Sequence, residues 1–257
     1  MDRQGEHIVF FDLSGYQTSF NREIFLSWFP GRKVFPGHDD ADLACYSREA
    51  LKDFEVFYGR FSLWPFDFLG DTCRKLILIE PPLHRIVNSY LKLRADGLRE
   101  KDRGTPLGDH DFRMLAANLT FEAFLEHGTT AEGAEIREVF DNCYAYFLCT
   151  RTARSRYLVT DVNSGYDPDL TKEQVLDVAI RNATNNVEFY YPDRLEDFFG
   201  RLAGYSRSHQ PGIVMKNYGK LIDDLDVAAG CIASSRDAES FLHIYSELDY
   251  SIYSYFR

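Results

Sequence analysis

Cysteine is scarce in this chain, with five in 257 residues, and none stands at a spacing that closes a zinc site or a redox pair. Cys45, Cys73, Cys143, Cys149 and Cys231 are odd in number and irregularly placed. That pattern argues against a disulfide scaffold and points to free thiols in a reducing compartment. No run of eighteen apolar residues occurs, so no transmembrane helix is expected. The polar stretch Met1 to Glu6 and the short apolar run after it do not read as a signal peptide. The seven histidines include no i, i+4 pair of the kind that holds zinc on a helix, and no Gly-x-Ser-x-Gly elbow is present. Positive charge is the minority sign: 29 Lys and Arg against 40 Asp and Glu leave a net charge of −11. Such a field disfavours nucleic acid and anionic membrane surfaces as partners, and polyanionic glycans too. A soluble cytoplasmic protein is the expectation. With no composition break or long linker, one domain spanning 1–257 is expected as well.

What the chain does have is apolar bulk, 45% hydrophobic and 15% aromatic, enough for a large core. Two segments repeat one layout. His7 to Phe11 reads as a buried strand, followed by a polar turn and then Thr18-Ser19 ahead of an apolar stripe at Phe20, Ile24, Phe25 and Trp28. Leu76 to Ile79 reads as a second buried strand. Pro81-Pro82 forms its turn, and Ile86, Val87, Tyr90 and Leu93 mark a helix face. Backbone N–H groups at such helix starts favour anions. Strands alternating with helices through the first hundred residues predict an α/β fold, a parallel sheet with helices on both faces. The second half reads as mostly helical, with one further strand at Val187 to Tyr191.

Arg94 to Asp111 is the longest polar stretch and reads as an insertion between elements, with RADGLREKDRGTPLG as a mobile loop. Ser240 to Arg257 reads as one amphipathic helix whose aromatic content exceeds a single core stripe. Packing within the chain is the favoured explanation, and a homodimer or partner protein is the other. His38-Asp39-Asp40 with Asp42 has metal-ligand chemistry, but a solvated helix start explains it better, so no metal is expected. Asp109-His110-Asp111 reads as surface loop, and Arg151, Arg154 and Arg156 as a solvated basic face or an anion site.

The order of the two strand–turn–helix segments resembles the carbohydrate-type sulfotransferases that use 3′-phosphoadenosine-5′-phosphosulfate, PAPS. In that family the first turn reads roughly Pro-Lys-Thr-Gly-Gly-Thr-Ser and cradles the 5′-phosphosulfate. The second reads Arg-Asp-Pro-x-x-Arg-x-x-Ser-x-Tyr and holds the 3′-phosphate. Pro82, Arg85 and Tyr90 keep the second spacing, and Asp141-Asn142 matches a pair often found near the cofactor. The resemblance implies a P-loop NTPase-like fold and PAPS as cofactor. It also implies a cleft for a small molecule or glycan, and transfer of a sulfuryl group to a hydroxyl.

This sequence departs from the family where the family does its chemistry. Ser14, Gly15, Tyr16, Gln17, Thr18 and Ser19 occupy the phosphosulfate turn, with Ser14 at the family's Lys and Tyr16-Gln17 at its Gly-Gly. A hydroxyl brings no charge to a leaving phosphate, and a Cβ restricts the backbone conformations that converge on one. Glu80 stands where the family pairs an Arg with the 3′-phosphate, and Asn88 stands at its Ser. A carboxylate ~4 Å from a phosphate charge costs about 4 kcal/mol at an effective dielectric of 20. The base His is replaced within Tyr58-Gly59-Arg60. Arg60 stays protonated, and Tyr58 is a poor base at neutral pH. Arg60, Glu80 and Tyr58 are therefore the candidate chemical residues of an altered, repurposed cleft. A non-catalytic relative that binds a ligand or a partner is the alternative.

Overall fold

The computed structural model describes residues 6–11, 13, 25–26, 28–106, 108, 111–130, 132–133, 136–137, 140, 142–149, 170–191, 194–205 and 236–257. Four strands form an all-parallel sheet: β1 (His7–Phe11), β2 (Val56–Gly59), β3 (Cys73–Leu78) and β4 (Glu188–Tyr190), in the order β2-β1-β3-β4. Phe10 pairs with Tyr58 of β2 and Leu76 of β3, and Leu78 with Tyr190. The expected α/β fold, its parallel sheet and its mostly helical second half are all observed, including the late strand.

Parallel strands covered on both faces read as continuous apolar runs rather than alternating ones, as HIVFF and LIL do. On one face Val9, Phe11, Phe57 and Ile77 pack with residues of α6 (Cys143–Cys149), α7 (Lys172–Asn186) and α10 (Glu247–Phe256). On the other, Ile8, Phe10, Val56, Tyr58, Leu76 and Leu78 pack with Phe25, Trp28, Phe29 and with Phe198 and Leu202 of α8 (Leu195–Tyr205). A third apolar cluster joins Ile86, Val87 and Tyr90 of α3 (Pro82–Asp102) to Phe121, Phe124 and Leu125 of α5 (Phe121–Gly128) and to Leu242 of α9 (Arg236–Tyr245). Pro82 opens α3 as expected, its missing N–H costing nothing in the first turn. Among the described residues no helix is long and apolar enough to cross a membrane.

Two expectations are corrected. The polar stretch from Arg94 is not a loop as far as Asp102, because α3 continues through it. What holds this half is not an apolar stripe but α4 (Phe112–Asn118). A Cβ on Gly97 would lie 2.1 Å from the Arg113 carbonyl oxygen, so only glycine allows the two backbones so close. Arg94 then donates to the carbonyls of Ala116 and Leu119 at 3.0 and 3.1 Å. Asp111 caps α4, accepting from the Arg113 N–H at 2.9 Å. The second correction is at the aromatic end, which is two helices, α9 and α10, separated at Ser246. Tertiary contacts impose that break: the Ser246 hydroxyl donates to the Phe140 carbonyl, and the Asn142 N–H donates to the Tyr245 carbonyl at 3.1 Å.

No disulfide joins Cys45, Cys73, Cys143 and Cys149. Burial pushes the Cys149 thiol up to about 11. Cys73 rises to about 12, driven first by burial, with Lys75 opposing and Asp67 reinforcing. Cys45 is exposed. Thiolate is the reactive form, so iodoacetamide at pH 8 is expected to alkylate Cys45 and to spare Cys73 and Cys149, as read by peptide mass mapping. Because both raised thiols hold their proton longer in the folded state, stability falls as pH rises past 9.0 toward about 12.

Candidate functional site

In an open parallel sheet, ligands bind beyond the carboxyl ends of the strands where the strand order reverses. The order β2-β1-β3-β4 reverses between β1 and β3. Among the described residues, Leu13 after β1, Arg60 after β2 and Glu80 after β3 follow those carboxyl ends. Ser14, Gly15, Tyr16, Gln17, Thr18 and Ser19 lie outside the described residues, as do Asp109, His110, Asp141 and the Arg151, Arg154 and Arg156 group.

The β2 side is built by close backbone approach. The Arg60 N–H donates to the His38 carbonyl at 2.8 Å, and a Cβ on Gly59 would lie 2.2 Å from that same oxygen. Glycine at 59 is thus a packing requirement. Tyr58 points into the sheet's aromatic layer, stacked on Phe10 with centroids 5.3 Å apart and planes 2° off parallel. Arg60 is exposed at the strand end. Nearby, His38, Asp39 and Asp42 lie together at the start of α1 (Asp40–Ala44), which the short α2 (Arg48–Leu51) follows. Both carboxylates serve as caps: Asp39 accepts from the Asp42 N–H at 3.0 Å, and Asp42 from the His38 N–H at 2.8 Å. Asp40 takes the Ser62 amide and hydroxyl.

The β3 side is a buried polar cluster. Glu80 is 0% exposed, Asn88 2% and Arg85 3%, so the three residues of the second motif do come together. The Asn88 amide donates to Glu80 Oε2 at 3.2 Å. Tyr144 of α6 places its hydroxyl 3.2 Å from both the Glu80 N–H and the Glu80 carbonyl, donating to the latter. Its ring lies under the Arg85 guanidinium, 5.0 Å from the cation. Arg85 Nη2 donates to Asp249 Oδ2 at 3.3 Å. The other Asp249 oxygen accepts from the Ala145 N–H at 2.9 Å. In return, Asn142 Oδ1 accepts from the Leu248 N–H at 2.8 Å. The chain at Asn142, with φ 45°, is thereby locked to the chain at Leu248 and Asp249.

Electrostatics follow from this packing. Burial pushes the Tyr144 hydroxyl well above its ordinary value, Glu80 and Asp249 push further, and Arg85 opposes them. The hydroxyl is therefore a neutral donor at physiological pH. Burial disfavours the Arg85 cation, yet Cys143, Tyr144, Asp249 and Glu80 together outweigh it and raise the guanidinium. With Tyr144 protonated, the carboxylates are what Arg85 answers to at neutral pH.

Sequence reasoning found Glu80, Arg85 and Asn88 and missed Tyr144 and Asp249. One signal was available for Asp249: it shares the buried stripe of α10 with Leu248, Ile252 and Tyr253. A carboxylate on an apolar stripe requires a buried partner. Comparison with protein-family models, with curated proteins and with solved structures finds no match to this chain.

Proposed function

We propose that this chain is a single-domain, sulfotransferase-like protein of P-loop layout, cytoplasmic, whose cleft has given up PAPS and serves as a non-catalytic binding module for a small molecule or glycan. The observation that carries this reading is the ion pair of Arg85 with Asp249, beside a fully buried Glu80. The resemblance would assign this corner to the cofactor's 3′-phosphate. Here its cation already faces a carboxylate of the same chain, and a second carboxylate stands where the family has its other cation. The described residues of this corner therefore do not fit PAPS. A phosphate placed there meets repulsion of about 4 kcal/mol per neighbouring carboxylate, which is nearly three decades of affinity. Tyr58, stacked in the core, acts in packing rather than as a base.

A second reading keeps group transfer, and the exposed Arg60 at the carboxyl end of β2 favours it. It stands where a ligand beyond the sheet edge would meet a fixed positive charge. Calorimetric titration with adenosine 3′,5′-bisphosphate, the spent form of PAPS, separates the two. The expected outcome is no binding heat up to about 1 mM nucleotide. Micromolar binding would overturn the non-catalytic reading and return the cleft to the transferases.

A further inference from the structure

The Arg85–Asp249 pair joins two distant parts of the chain, 164 residues apart. Both side chains are almost wholly out of solvent, at 4% and 0% exposure. Asp249 has each of its oxygens on a separate donor, the Arg85 guanidinium and the Ala145 amide. A guanidinium and a backbone N–H converging on one carboxylate make an oxyanion receptor. The receptor groups belong to α3 and α6, whereas the anion belongs to α10. Receptor and anion thus sit on elements that meet only through tertiary packing, and α10 is a separate helix from α9, set off by the break at Ser246.

We propose that Asp249 is a built-in ligand: Arg85 and the Ala145 amide form an oxyanion site at the carboxyl end of β3, and α10 occupies it as an autoinhibitory plug. An external carboxylate, sulfate or phosphate group competes with Asp249 for that site and gains it when α10 loosens. Because the pair is a feature of packing, the plug operates whether or not the neighbouring cleft ever held a nucleotide, and a negative nucleotide titration leaves it standing.

Chemical rescue tests this in the full chain. Asp249→Gly removes the internal anion and leaves room for a small one. Its melting temperature is compared in sodium chloride, sodium formate and sodium sulfate at matched ionic strength, with the unaltered protein alongside. Roughly half or more of the lost melting temperature is expected back in formate, saturating with concentration as a bound ligand does. The unaltered protein should shift little. Recovery in sulfate as well assigns the site to oxyanions generally, and recovery in formate alone to planar carboxylates. Equal shifts in variant and unaltered protein would overturn the proposal.

Should Asp249→Gly not fold, Ile252→Ala takes its place, since it loosens α10 while keeping every charge. Formate or sulfate should bind it about tenfold tighter than the unaltered chain by titration, and Arg85→Gln in the same background should abolish that binding. No gain in affinity would sink the idea.

Discussion

Replacing Arg85 with leucine is expected to lower the free energy of unfolding by about 3–5 kcal/mol, because it leaves Asp249 and Glu80 buried without their cation. Urea unfolding of the two proteins reads this directly as a shift in midpoint at unchanged slope. The size of the loss reports the orphaned charges more than the strength of the bond. Taking a carboxylate out of water is expensive, and the pair recovers that cost only while both members are present. Arg85→Met combined with Asp249→Leu should therefore recover the share of that loss owed to Asp249, since no ion of the pair remains to be desolvated, while the share owed to Glu80 persists. A loss under about 1 kcal/mol for the single change would mean that water screens the pair as it screens surface bridges. The reading of this corner as closed would then be wrong.

Phe57→Ala should cost a similar amount, about 3–5 kcal/mol, for an unrelated reason. Phe57 is fully buried on β2, with its ring 5.1 Å from Phe66, 5.4 Å from Phe35 and 6.3 Å from Phe54. Truncation removes the transfer energy of a whole ring and leaves a void that a sheet covered on both faces has little freedom to close. Tyr46→Ala is the control. Its ring touches Phe35 and Phe54 at 5.3 and 5.7 Å, but it is 38% exposed, so its loss should be less than half as large. Comparable losses at both positions would show that the layer around Phe57 is loosely packed. Such a layer would not hold the carboxyl ends of β1 and β2 in register.

The two variants probe different kinds of legibility. Phe57 lies in VFYG, a stretch whose side chains are buried on both faces. Its place in a covered strand is shown by the structure, whereas His7–Phe11 and the core of β3 follow from their runs of apolar residues alone. Pro82 marked the start of α3 just as directly. The polar half of α3 escaped because its stability comes from Gly97 packing on the α4 backbone and Arg94 reaching carbonyls there. A periodicity argument counts apolar residues and has no account of a glycine contact or a guanidinium bond. The break at Ser246 escaped for the same reason: its cause lies at Phe140 and Asn142, far away in sequence.

At the candidate site the division is sharper. Arg85 and Asn88 are about one helical turn apart on α3, Glu80 stands just before its cap, and a motif spacing was enough to group them. Whether Arg85 was available to a ligand or already engaged depended on Asp249, and nothing in the residues around Arg85 refers to it.

The sequence by itself determined the buried strands, the start of α3, the α/β class and the alternation that makes the sheet parallel, because each follows from the spacing of apolar and breaker residues within one segment. Only the tertiary structure decided where the charges go. Ion pairing inside a protein is set by which side chains share a volume cut off from water, and that volume exists only after helices from opposite ends of the chain have packed together.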